Sequence, residues 1–497
     1  MDKRSKSQLI QNIYSLTPLQ EGMLYHCLVS PDTTGYILQN YYQFNLELDI
    51  KLLKEAISLL SMRYDVLRTM IMHEKVKSPK QIVLKKRDIE FNVIDLSNCD
   101  DLPNEEKNII NKDLVRGFDF QKDTLIRFTY IKIPDNKCKL LFSIHHIIVD
   151  GWCNSLLINK LMEYYDRLFN GTPYDTISKE ITEERKISGE YKDYLNWIEH
   201  QNPKTALSYW SDLLSDYENS NEIVVFDKKD VCEEQSLDYN FKLSTEISKK
   251  LFEISKDNNV TINTLVETLC GILLQKCSGS NDIVFGKVIS GRDANIRDVE
   301  SIIGLFINTI PVRVQCDKNT TLTELLKTQN QQANTSSDYG FCSLADIQNT
   351  TQQKNSLIKY LFVFENYAAE EYVSKTEEQA FNINDDIVCE YQREQTSYDL
   401  SLSATFGNDV LSMSFSYLTE KFGLEDIKVL ADRFIKICNA VCDNSNIRIS
   451  EIEMITDEEK DLICNSFNDV NSEFPKDKTV AELFEEQVEK NTDNIAV

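Results

Sequence analysis

A chain of 497 residues is too long for one hydrophobic core, so two or three domains or lobes are expected, and 41% hydrophobic with 10% aromatic residues is ample material to pack them. Against 80 Asp and Glu the chain carries 54 Lys and Arg, a formal charge of −26 that argues against a nucleic-acid or anionic-membrane surface. Thirteen cysteines without a Cys-x-x-Cys pair, a polar start over residues 1–11 and no apolar run near the roughly 20 residues of a membrane span point to reduced thiols in a cytoplasm.

In chain order, Thr17-Pro18 opens a helix, with Glu21 where a capping box places an acid. Tyr41 to Leu48 reads as a strand, and Ile50 to Arg63 as an amphipathic helix with Leu52, Ala56, Leu59 and Leu60 on one face. Tyr64-Asp65-Val66-Leu67-Arg68-Thr69 follows as core scaffold. Lys75, Lys77, Lys80, Lys85, Lys86 and Arg87 then gather around the strand-like Gln81 to Leu84. The plain reading of this basic stretch is a solvated hairpin; the sharper one is a surface for an acidic partner.

Lys139 to Ile144 is an apolar, extended run, and two of the five histidines, His145 and His146, follow it directly. His146 therefore falls where strand gives way to loop, its backbone fixed and its ring turned to a cleft, while Asp150-Gly151 turns the chain before a helix that begins near Asn154. A single histidine in such a place is usually a satisfied polar group. Zinc is disfavoured, because adjacent histidines do not easily reach one tetrahedral ion and no Cys or His cluster lies nearby.

Leu156, Leu157, Leu161, Tyr164, Tyr165 and Leu168 keep helical spacing until Asn170-Gly171, where a first lobe is expected to end. Residues 171–189 read as a charged connection, and Tyr191–Trp197 and Ala206–Trp210 as helices anchored by tryptophan. Phe241-Lys242-Leu243 and a helix opened by Ser244 begin the second lobe, with Thr261 to Cys277 as its core helix. A buried-type strand, Ile283 to Ile289, ends in Ser290-Gly291-Arg292; the polar stretch Asp293 to Glu300 leads to the apolar Ile302 to Val314. Tyr360 to Tyr367 reads as a strand, Ser397–Leu402 and Leu411–Tyr417 as a hairpin about Gly407-Asn408-Asp409, and Gly423 to Cys442 as a closing helix with Leu430, Phe434 and Ile435 inward.

His145-His146-Ile147-Ile148-Val149-Asp150-Gly151 resembles the HHxxxDG signature of the condensation-domain superfamily of nonribosomal peptide synthetases, related in fold to chloramphenicol acetyltransferase. Tyr14 to His26 resembles that family's first motif, in the form of domains joining an L-configured donor to an L-configured acceptor. Tyr64 to Thr69 resembles its RHxxLRT motif, with Tyr64 in the usual His position. Arg116-Gly117-Phe118-Asp119-Phe120 with Leu125-Ile126-Arg127 resembles its RGFD segment, Tyr191 to Trp197 its YxDYxxW motif, Ile303 to Arg313 its IGLFxNTxPxR motif, and Val363 to Tyr367 its VFENY strand.

The resemblance implies an α/β fold of two chloramphenicol-acetyltransferase-like lobes, residues 1–171 and 172–449 with an inter-lobe helical segment at 191–210, in a V-shaped pseudo-dimer with a central tunnel. It implies that His146 acts on the amine of an acceptor aminoacyl thioester as it attacks a donor acyl thioester. A neutral imidazole, of ordinary pKa about 6.5, can take a proton from that amine or hold it by a hydrogen bond. His145 supports the turn, Asp150 pairs with Arg292 as a structural tie, and a backbone N–H at Gly151 faces the oxyanion. Ser290, Gly291, Asn308 and Trp152 are candidates for the tunnel and its floor. The domain itself binds no cofactor and no metal; its substrates arrive on the 4'-phosphopantetheine arms of carrier proteins.

Two alternatives belong to other classes of activity: an epimerisation domain, disfavoured by Phe364-Glu365-Asn366-Tyr367, and a non-catalytic module that gates carrier traffic. Residues 450–473 read as a linker, and 474–497 resemble the opening of an adenylation domain, so the adenylation domain and acceptor carrier are expected downstream in the same polypeptide. With Met1 only about a dozen residues before the first motif, the donor carrier is expected in trans, docking on the basic cluster Lys75 to Arg87 through salt-sensitive contacts.

Overall fold

The computed structural model describes residues 9–31, 33–219, 222–223, 236–365, 387–393, 398–468 and 475–490. Asn366, Tyr367, Ser397, Phe474 and the last seven residues, on which some of the expectations above fall, lie outside them. The strands, in chain order, are β1 (Ile10–Ser15), β2 (Ile37–Phe44), β3 (Thr69–Met72), β4 (Lys80–Leu84), β5 (Glu90–Asp95), β6 (Ile126–Ile133) and β7 (Lys137–His145). The second half contributes β8 (Ser236–Lys242), β9 (Asp282–Ile289), β10 (Asn308–Gln315), β11 (Tyr360–Phe364), β12 (Ile387–Arg393), β13 (Leu400–Gly407) and β14 (Val410–Leu418).

They form a three-stranded sheet β1-β4-β3, a five-stranded sheet β12-β2-β7-β6-β5 and a six-stranded sheet β10-β9-β11-β13-β14-β8. Each large sheet has its own core. The first gathers Leu38, Phe142, Ile144, Leu157 and Leu161 between sheet and helix Trp152–Phe169. The second gathers Phe285, Phe362, Phe415 and Phe434 under helices Ile262–Ser278 and Leu424–Asp443. β7 is buried from Cys138 to His145, which is why its sequence is a continuous run and does not alternate.

Local chemistry sets the elements. Asp49 caps helix Ile50–Arg63 by accepting from the Lys51 and Leu52 amides, and Leu53, Ala56, Ile57 and Leu60 form its buried face. Thr261 caps helix Ile262–Ser278, which stops at Gly279 in the left-handed region. The first helix, Pro18–Val29, has Thr17 as its N-cap and its capping box closes through Gln20, not Glu21, because Gln20 is the residue three past the cap. The strand expected at Tyr41 to Leu48 instead runs Ile37–Phe44, since its pairing is set by β7 with Ile37 opposite His145.

The second half reaches into the first in two places. β12 pairs with β2 along Ile387↔Phe44 to Arg393↔Gln39, so a strand of the C-terminal half completes the N-terminal sheet. Ala294, Ile302, Ile303, Leu305 and Phe306, from the connection between β9 and β10, enter the first core. The expected connection at 171–189 holds helix Tyr174–Ile187, whose Ile177 and Ile181 lie one turn apart and are buried. With Tyr191, Tyr194 and Leu195 they belong to the first core, which therefore extends past Gly171.

Candidate active site

The end of β7 is fixed almost entirely through its backbone. The His145 amide donates to Leu125 O (2.9 Å), the His146 amide to Tyr36 O (2.8 Å), and Val149 N–H returns to His146 O (3.2 Å), closing a single 3-10 turn over His146–Ile148. Gln20, fully buried, donates from Nε2 to Ile147 O (2.8 Å), while its Oε1 accepts from Thr17 N (2.9 Å) and Gln81 Nε2 (3.1 Å). The cap of the first helix thus also holds the turn that carries His146.

The two histidines have different surroundings. The His145 ring sits against Phe120 (4.9 Å between centroids), Phe118 (6.2 Å) and Tyr36 (6.5 Å). Its Nδ1 accepts from the Ile147 amide (3.1 Å), which requires that nitrogen to be unprotonated and places the ring proton on Nε2, 3.7 Å from Cys27 Sγ. Burial, with the neighbouring His146 ring, holds the pKa of His145 down at about 3. His146 follows on the turn with 5% of its surface exposed.

The neutral His145 ties stability to pH. The unfolded chain takes up a proton near pH 6.5 that the folded chain refuses until about 3, so this contribution is complete above 6.5 and is lost as pH falls from 6.5 toward 3. Between pH 6.5 and 5 it amounts to about 2 kcal/mol at the linkage slope of about 1.4 kcal/mol per unit. Urea melts should weaken over that range, and His145→Gln, which keeps an acceptor for Ile147 N–H, should flatten the slope; an unchanged slope would contradict a neutral buried ring.

Asp150, wholly buried, joins the turn to the second half. Its carboxylate accepts from the Phe306 amide (3.0 Å) and from Arg292 Nη2 (3.2 Å), and Cys153 Sγ lies 3.1 Å from Oδ1. Arg292 spends Nη1 on Val299 O (2.7 Å) and Ile302 O (3.0 Å), with its guanidinium 4.3 Å from the Phe306 ring and 5.4 Å from that of Trp152. Trp152 Nε1 donates to Glu300 O (2.8 Å), and Asp150 N–H to Gly304 O (3.3 Å). These ties span residues about 150 apart in sequence and fasten the 290–306 connection to the chain just past the His146 turn.

The other expected residues separate by role. Gly291 has φ +63°, and a Cβ there would lie 2.0 Å from Phe306 O, so only glycine fits the approach. Ser290 is exposed, and its Oγ accepts from the Arg292 amide at 3.4 Å. Asn308 holds a neighbouring loop: its Nδ2 donates to Gly340 O (2.7 Å) and Cys342 O (2.8 Å). Gly151 is right-handed helical at φ −58°, ψ −31°, and the helix starts at Trp152, two residues earlier than expected. Of the basic cluster, Lys80 Nζ donates to Ser15 Oγ (3.0 Å) and Arg87 Nη2 to Lys122 O (2.6 Å), whereas Lys75, Lys77, Lys85 and Lys86 are exposed.

Gln20, Cys153 and the Tyr36 carbonyl were not singled out in the sequence. Only Gln20 left a signal, as the residue three past a Thr-Pro helix start. Among the described residues no three His, Cys, Asp or Glu side chains gather as metal ligands, and no helix is long and apolar enough to cross a membrane.

A family model described as Condensation domain matches residues 10–464. Tyrocidine synthase 2 of Brevibacillus parabrevis is 34% identical over 99% of this chain and 13% of its own length, and Gramicidin S synthase 2 of Brevibacillus brevis is 31% identical over 99% of this chain and 11% of its own. The chain spans less than a fifth of these relatives. Among solved structures, a four-domain nonribosomal peptide synthetase bound to AMP and glycine aligns with TM-score 0.71 at 15% identity, over 98% of this chain and 37% of that one. The first condensation domain of the calcium-dependent antibiotic synthetase, in complex with a substrate analogue, aligns with TM-score 0.68 at 15% identity, over 90% of this chain and 100% of that one. At such identity these two alignments establish the two-lobed fold.

Proposed function

The chain belongs to the condensation-domain family of nonribosomal peptide synthetases, amide-forming acyltransferases, and from that premise we propose that His146 serves the joining of a donor acyl or peptidyl thioester to an acceptor aminoacyl amine. Both substrates are carried on phosphopantetheine arms of carrier proteins that enter a tunnel between the lobes from opposite faces. The amine nitrogen attacks the donor carbonyl carbon, the C–N bond forms as the C–S bond breaks, and the proton shed by nitrogen ends on the departing thiolate. His146 holds or receives that proton; His145, kept neutral and aimed at Ile147 N–H, orients the turn. A backbone N–H at Gly151 faces the oxyanion, and because thioesters are reactive, fixing the amine against the carbonyl supplies much of the rate.

The observation that carries this reading is the backbone clamp on His146 at the junction with the 290–306 connection, in a chain whose motifs match the family from residue 10 to 464. Epimerisation is not favoured, since the curated relatives are peptide synthetases matched across nearly the whole chain. Residues 450–473 serve as linker, and 474–497 as the opening of an adenylation domain. The test supplies loaded donor and acceptor carriers and looks for the dipeptidyl thioester by intact-protein mass spectrometry. Carrier binding without product would favour the gating module instead.

The basic strand β4 lies near this turn, because its Gln81 shares Gln20 with Ile147. It supports a docking surface for an acidic carrier. Changing exposed Lys85 and Lys86 to Ser, leaving the tethered Arg87, should weaken donor-carrier binding about two- to fivefold at low salt and much less at high salt. Equal affinity and salt slope in titrations of both proteins would dismiss the patch.

A further inference from the structure

β12 ends at Arg393, which is 9% exposed and reaches across to the chain just before β2. Its Nη1 donates to Thr34 O (2.8 Å) and Ile37 O (3.1 Å), and its Nη2 to Thr34 Oγ1 (3.0 Å). Ile37 N–H donates to Thr34 O (3.2 Å), so residues 34–37 form one tight turn and the guanidinium grips it at both ends. Between the two gripped carbonyls lies Tyr36, whose own carbonyl receives the His146 amide (2.8 Å). The Tyr36 ring also lies over His145.

We propose that Arg393 is a positioning residue for His146: the strand that crosses from the C-terminal half sets the 34–37 turn, and that turn sets the backbone of the reacting histidine. The physical warrant is the planar guanidinium, whose Nη1 holds both carbonyls while Nη2 holds the Thr34 hydroxyl, in a buried setting where lost hydrogen bonds are costly. A lysine ammonium offers a single nitrogen, which can stand in for Nη1 at the carbonyls but cannot also supply the Nη2 bond to Thr34 Oγ1. His146 is then in register when β12 is seated on β2, which couples the contact between the halves to the reaction. This inference rests on the reading of His146 given above.

A second tie on the same strand separates positioning from seating. Glu390 Oε2 meets Lys139 Nζ (2.7 Å), which also holds Glu106 (3.0 Å), so Glu390→Gln loosens β12 without touching residues 34–37. The experiment compares Arg393→Gln, Arg393→Lys and Glu390→Gln by dipeptidyl-thioester kinetics, thermal melting and amide hydrogen exchange of peptides covering residues 138–149. Arg393→Gln is expected to lower kcat about ten- to a hundredfold, in keeping with a displacement of about 1 Å at a reacting group, with KM for the acceptor carrier nearly unchanged. Exchange should accelerate at His146 and not at residues 138–143, Arg393→Lys should recover part of both effects, and Glu390→Gln should show neither. Unchanged exchange at His146 in Arg393→Gln overturns the proposal, as does an equal loss of kcat in Glu390→Gln, which would make strand seating the whole effect. The exchange measurement needs no turnover: faster exchange in Arg393→Gln beside full activity in His146→Ala supports the clamp and refutes the role of His146.

Discussion

His146→Ala is expected to remove most dipeptidyl-thioester formation, a loss of about 10²- to 10⁴-fold for a group that handles the amine proton. The fold should survive, because the bonds from the His146 amide to Tyr36 O, Val149 N–H to His146 O, Gln20 Nε2 to Ile147 O and Ile147 N–H to His145 Nδ1 all hold the turn without using the His146 ring, and an alanine keeps them. Truncating a buried ring still costs packing, on the order of 2–3 kcal/mol, visible as a fall in melting temperature. His145→Ala should behave in the opposite way, since its ring packs on Phe120 and accepts from Ile147 N–H: stability falls first, and activity follows with it. Kinetics by intact mass and melts by circular dichroism on both variants check the contrast. A folded His146→Ala protein with full turnover would sink the assignment.

What could be read in the sequence is what is written locally. β7 announced itself as an unbroken apolar run because both its faces are covered, and the helix caps at Ser244 and Thr261 sit where their side chains accept from the third amide on. Arg292 was placed opposite Asp150 by likeness to a family, since nothing local links residues 142 apart. β12 went unread: it is a short edge strand with Glu390 and Gln392 among apolar residues and an irregularity between Cys389 and Tyr391, so no clean alternation survives. Helix Tyr174–Ile187 was hidden by its charges, because only Ile177 and Ile181 are buried. The partners of Asn308 were not legible for another reason: a strand's register tells which side a residue faces, not which loop, here residues 340–342, comes to meet it.

Asp150→Ala is expected to cost about 3–5 kcal/mol, the usual loss when one partner of a buried ion pair is removed and the other left behind. The reason is visible in the partners: Arg292 would keep its charge beside Val299 O, Ile302 O, Cys153 Sγ and two aromatic faces, with no countercharge among them, and the Phe306 amide would lose its acceptor. Arg292→Leu should cost a similar amount, because the carboxylate would retain the Phe306 amide and the Cys153 thiol but no countercharge. Both losses arise from the same pair, so the double variant should be more stable than the sum of the two predicts, by about 1–3 kcal/mol. Denaturant melts of the four proteins measure that coupling. Additive losses would mean the two side chains do not act as a pair. The companion activity assay decides the nature of the tie: a structural Asp150 loses turnover in proportion to folded protein, whereas Asp150→Ala protein that melts normally and forms no product would make this carboxylate part of the chemistry.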